Sequence, residues 1–142
     1  MIDAEETIFS TLVERIHEKY PWADQVTFLN DYIIWPEHFP TVTFTEEDNR
    51  TEIRFHDSSN EENAARLTYQ VDVWSNAGHD RKTEARYIIK AIDDELLAMG
   101  FRRTYLNNQP YIQDNSVYRC IGRYSTVCEE TADGSFVLYH RP

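Results

Sequence analysis

Leu67-Thr68-Tyr69-Gln70-Val71-Asp72-Val73-Trp74 places apolar side chains at every second position over eight residues, the period at which a strand shows one face to a core. Leu67, Tyr69, Val71 and Val73 share one side, and Thr68, Gln70, Asp72 and Trp74 share the other. This is the clearest strand in the chain and is expected at the centre of a sheet. Trp74, on the polar side, either packs under a helix or is offered to a partner. Ser75-Asn76-Ala77-Gly78 breaks the pattern, and Asp80 is positioned to cap a helix. Ala85, Ile88, Ile89, Ile92, Leu96 and Met99 then recur at helical spacing, and Gly100 supplies the left-handed residue that ends such a helix.

Downstream, Phe101 to Tyr105 resumes an extended pattern, and Asn107-Asn108-Gln109-Pro110 reads as a turn. Val117 to Val127 reads as a long strand with Tyr118, Cys120, Tyr124 and Thr126 on one side, and Phe136 to Tyr139 as a last strand after Asp133-Gly134. Upstream, Ile8, Phe9, Leu12, Val13, Ile16 and Tyr20 mark one face of an N-terminal helix that Pro21 ends. Asp3 is placed to cap it, and Glu5 and Glu6 sit in its first turn, where the helix dipole favours negative charge. Val26 to Leu29 and Tyr32 to Trp35 form short β-rich runs around Asn30-Asp31, which suggests a hairpin. Phe39 to Phe44 is strand-like, with Thr51 to Phe55 continuing or pairing with it, and Ser58 to Asn63 is the most polar loop candidate. The order points to one α+β domain over residues 1–142: a mostly antiparallel sheet with an N-terminal helix and a long central helix packed on one face.

A formal net charge of -11 is unevenly placed. Residues 1–65 hold fifteen Asp and Glu against four Lys and Arg, whereas residues 66–142 hold ten of each. So acidic a first half repels phosphate backbones and argues against tight nucleic-acid binding; it reads first as a solvated surface that keeps the chain soluble, and it also suits a channel that DNA traverses without sticking. No stretch approaches the roughly 20 apolar residues of a membrane helix, and the acidic Met1-Ile2-Asp3-Ala4-Glu5-Glu6 start is no secretion signal, so a cytoplasmic protein without membrane contact is expected. Cys120 and Cys128, on one strand, would lie roughly 26 Å apart, too far for a disulfide.

Catalytic groupings are sought without success, and the chain reads as a non-enzyme with neither cofactor nor metal. His17, His38, His56, His79 and His140 lack the i, i+4 spacing of a metal-binding helix. Neither phosphate-cradling glycine motif occurs. Asp93-Asp94-Glu95 is a run of carboxylates, but consecutive helical residues fan around the axis, so the run reads as a solvated face. Aromatic residues make up 13% of the chain, with nine tyrosines, a composition typical of protein interfaces. The interface candidates are Trp74, Tyr118 and Tyr124, together with Arg102 and Arg103. These two arginines come just after the helix C-terminus and serve either its dipole or the acidic half of a neighbouring subunit.

Tyr69-Gln70-Val71-Asp72-Val73-Trp74, the helix over 81–99, and Gly100-Phe101-Arg102-Arg103-Thr104 together resemble the tail terminator and tail completion proteins of long-tailed bacteriophages. There a Q-[IV]-D-[IV]-W strand feeds an Ala-, Ile- and Leu-rich helix that ends in G-F. The N-terminal helix, the 39–44 strand and Val117-Tyr118-Arg119 extend the likeness over most of the chain. The resemblance implies a virion subunit, assembled in the host cytoplasm, that forms a homo-oligomeric ring, commonly a hexamer. That ring sits on the last tail-tube ring, ends tube polymerisation and docks the head–tail connector, with DNA only passing through the lumen. It carries over no catalytic or ligand residue. A head-completion adaptor or tail-tube subunit is the nearest alternative, and a small ligand-binding domain or enzyme is an alternative of another class.

Overall fold

A computed structural model describes residues 1–51, 64–110 and 116–139. The expected 58–63 loop, the strand residues 52–55, His56 and His140 lie outside the described residues. Helix α1 spans Glu5–Lys19 and buries Ile8, Leu12 and Ile16. Its N-cap is Ala4 with no side-chain cap, so Asp3 does not play that part. A short 3-10 helix, Pro21–Gln25, leads into β1, Thr27–Leu29. Strands β2 (Thr41–Thr51) and β3 (Ala64–Ser75) come next, then α2 (Arg81–Met99), β4 (Arg102–Pro110), β5 (Tyr118–Glu130) and β6 (Phe136–Tyr139).

The sheet runs β1-β2-β3-β5-β4, with β6 pairing the far end of β5 beyond β4. Thus β3 is central, as its alternation predicts, and it pairs antiparallel with β2 on one side and β5 on the other. Side chains at Val42, Phe44, Leu67, Tyr69, Val71, Val73, Cys120, Tyr124 and Cys128 join the core under both helices. The helices pack side by side on this one face, α1 over β2 and α2 over β3 and β5. Phe44 stacks on Tyr69 at 4.7 Å between ring centroids, with Phe9 of α1 at 6.0 Å from Phe44 and Phe101 edge-on to Tyr69 at 5.9 Å. Each such pair adds about 0.5–1.5 kcal/mol beyond its buried area.

Two expectations are corrected by this topology. Residues 26–35 form no hairpin: β1 pairs parallel with β2, Thr27 opposite Thr41, and residues 30–40 make the return as bends and irregular backbone. Asn30-Asp31 has no glycine to take the left-handed positions of a two-residue turn, and a parallel pair needs a longer connection. Asn107 to Pro110 is not a turn either, because β4 continues through Pro110, pairing with β5 as far as Tyr118. Its outer edge pairs with no strand among the described residues, which is where proline costs no ladder bond. Asp80 is the N-cap of α2 without a side-chain cap bond. At the other end Gly100 adopts φ 110°, and the Gly100 and Phe101 amides close on the Leu97 and Leu96 carbonyls, as the helix stop requires.

Candidate functional site

Asp93 and Glu95 of α2 lie two residues apart and face opposite flanks of the helix. Neither belongs to a solvated face: both are buried, because cations from neighbouring elements reach them. Glu95 accepts hydrogen bonds from Arg15 Nε at 2.9 Å and Lys19 Nζ at 3.0 Å, which bolt α1 to α2. Burial pushes the Glu95 carboxyl up, but the hydrogen bonds and charges of Arg15 and Lys19 outweigh it, so the group titrates below the ordinary glutamate value. Asp93, on the β4 side, accepts the Tyr124 hydroxyl at 2.8 Å and Arg103 Nη1 at 3.1 Å on one oxygen. Burial, followed by that carboxylate, holds the Tyr124 phenol far above its ordinary value, so it stays a donor.

This pair forms the floor of a groove of about 440 Å³ between α2 and β4. Arg86 and Lys90 line its helix wall, Arg103 and Leu106 its strand wall, with the exposed Tyr87 at the rim. A bulge between Arg103 and Tyr105 makes this possible: it lets Arg103 point to the helix side while Tyr105, two residues on, points to the other. The groove is cationic with an apolar lining, on a chain whose overall charge is strongly negative.

The sheet face opposite the helices carries a continuous run of polar contacts. Arg119 lies over the Trp74 ring at 4.5 Å and pairs with Asp72 at 2.5 Å. Gln70 donates to Asp72 at 2.9 Å and accepts from Arg123 Nε at 3.2 Å, while Arg123 also meets Glu47 and covers the Tyr105 ring. Every member comes from β2, β3, β4 or β5, so the run ties neighbouring strands together without a helix over them.

Among the sequence candidates, Trp74 and Tyr124 are 2% and 0% exposed, so neither presents its ring to a partner. Trp74 is covered by Arg119 and Tyr124 by α2, which corrects their reading as interface residues. Tyr118 is half-buried against the core. Arg102 and Arg103 are both exposed, and Arg103 is paired with Asp93 within its own chain. What the sequence reading missed is the stretch 30–40, whose Tyr32 and Ile34 are about three-quarters exposed and whose Trp35 is also exposed. In a hairpin strand these residues would be half-covered. In the irregular 30–40 stretch they are instead exposed apolar side chains close together in sequence, of the kind that marks interaction sites.

Burial raises the Cys120 thiol to about 11 and the Cys128 thiol to about 12, and neither is in a disulfide. Both are protonated near neutral pH and unreactive. No group of three or more metal-ligating side chains occurs among the described residues, and none of their helices is long and apolar enough to cross a membrane. Compared with known proteins, the chain matches no family model and no curated protein.

Proposed function

We propose that this chain is a ring-forming structural subunit of the phage tail terminator kind, which caps the tail tube, ends its polymerisation and joins the tail to the head connector. The observation that carries this reading is the state of its surfaces. The motif on which the resemblance rests forms the central strand, the long helix and the outer strand as one continuous unit. Around that unit, three surfaces are available for protein contacts: the edge of β4, the cationic groove beside α2 and the exposed apolar side chains of Tyr32, Ile34 and Trp35. A subunit that touches two like neighbours and two unlike rings needs several such surfaces. The acidic first half suits a lumen through which DNA moves without being held.

Light scattering of the purified chain, alone and with tail-tube protein, tests the proposal. A discrete ring, or a monomer that becomes a ring on tubes and stops their growth, is the expected outcome. Open-ended stacks would instead identify a tube subunit, and a persistent monomer with no affinity for tube or connector would overturn the reading. Ile34→Asp should abolish co-sedimentation with tubes or with connector while changing stability by less than about 0.5 kcal/mol, since Ile34 is exposed.

A further inference from the structure

Lys82, Arg86 and Lys90 stand one helical turn apart on α2, so they form a row along one flank. All three are exposed, and none makes an ion pair or hydrogen bond among the described residues. Among the described residues Asp93 is the single carboxylate lining the groove beside them, and it is already engaged by Tyr124 and Arg103. A row of cations with no acidic partner among the described residues, beside an apolar trough, is unusual on a chain with 25 acidic and 14 basic residues. It calls for an anionic occupant that is elongated, since the row extends over about 12 Å at 1.5 Å per residue.

Helix α1 presents such a surface. On its side away from Ile8, Leu12 and Ile16, Glu6, Ser10 and Glu14 form an exposed row of the same length, with Asp3 at its start and the small hydroxyls of Thr7 and Thr11 beside it. Both rows belong to α-helical segments, so eight residues of one match eight of the other in reach. Within one copy they cannot meet. Arg15 and Lys19 bind α1 to the Glu95 flank of α2, whereas the cationic row lies with Asp93 on the opposite flank, facing β4.

We infer that the groove between α2 and β4 receives the outward face of α1 from a second copy of this chain. The contact uses different surfaces on the two partners, so it repeats head to tail, and a rotation that closes yields a ring. The inference rests on the ring reading above and names the contact that would build it. Its attraction is chiefly between exposed charges, so it weakens as salt shortens the screening length from about 10 Å at 0.1 M.

The test uses the full chain and two charge reversals, R86E/K90E in the groove and E6K/E14K on α1, each checked for an unchanged melting transition. Each variant alone should lose self-association by about tenfold or more, by sedimentation or native mass measurement. Mixed in equal amounts they should regain it, because the acidic groove of one accepts the basic α1 of the other while its own α1 enters the partner's unaltered groove. Carbodiimide coupling of mixed heavy- and light-isotope native protein should join Lys82 or Lys90 to Glu6 or Glu14 of another copy. Rings indifferent to both reversals, or loss without rescue on mixing, overturn this contact and leave the ring reading standing. Rescue into open-ended chains supports the contact and removes ring closure. A native chain that is monomeric under all conditions overturns both, as would one whose groove merely binds inorganic phosphate without any change in mass.

Discussion

Tyr124 reaches Asp93 only because position 122 lacks a side chain. A Cβ built on Gly122 would come within 2.9 Å of the Tyr124 ring, which lies back along its own strand to bring its hydroxyl under α2. Removing the hydroxyl by Tyr124→Phe leaves Asp93 with Arg103 alone and is expected to cost about 1–3 kcal/mol, as for a hydrogen bond to a buried charged group. Gly122→Ala should cost a similar amount by moving the ring and lengthening the same bond. Because both act through one contact, the double variant should lose less than the sum of the two in urea denaturation. Strict additivity would mean that the glycine serves some other purpose. None of this is readable in the sequence, where Gly122 and Tyr124 are simply two residues of a long strand. Asp93 likewise reads as solvated among three acids, since its cation lies across the helix end and its phenol comes from another strand.

Helix α2 ends where three elements converge on Gly100. Its φ of 110° excludes most side chains, a Cβ there would stand 2.6 Å from the Leu138 carbonyl of β6, and Thr126 Oγ1 of β5 donates to the Gly100 carbonyl at 2.9 Å. Gly100→Ala should therefore cost about 1–3 kcal/mol from left-handed strain alone. It should also speed amide exchange in β6 more than in β3, because the added carbon pushes on the last strand. Equal protection loss throughout the sheet would refute that local effect. This helix and its stop, with β3 and the run of β5, are legible in the sequence because each is governed by period and by one residue's backbone freedom. The parallel β1 and the length of β4 are not, because a short strand's partner and an edge strand's end are decided by what lies beside them. Polar turn residues at Asn107 to Pro110 are tolerated in β4 since its outer edge has no strand to satisfy among the described residues.

Across the molecule, two glutamates set opposite trends with pH. Glu95 titrates below its ordinary value in the fold, so its stabilisation is complete above the unfolded value of about 4.3 and disappears as pH falls through the folded one. Glu95→Gln should cost about 1–2 kcal/mol at neutral pH, discounted for the partial exposure of Arg15 and Lys19, and nothing in strong acid. Glu5, near Glu46 and Asp3, is raised by burial first; its amide bond from Glu46 pulls the other way, and the neighbouring acids add to the rise. Its favourable effect is present below the unfolded value and lost as pH rises through the folded one, so Glu5→Gln should stabilise at neutral pH by under about 1 kcal/mol. Melting curves of both variants from pH 3 to 8 should bracket the native curve. The central pairing, finally, determines how quickly the chain can find its form. β3 and β5 join Ala64 to Glu129 and Ser75 to Tyr118, with the whole of α2 and β4 in the intervening loop. Closing so long a loop precedes any gain from the contacts it makes, so refolding should take milliseconds to seconds, roughly the pace of sheet proteins, although helices are prominent in the fold. During synthesis that interval exposes β3's apolar face to other nascent chains, and the acidity of the first half becomes protection against clumping.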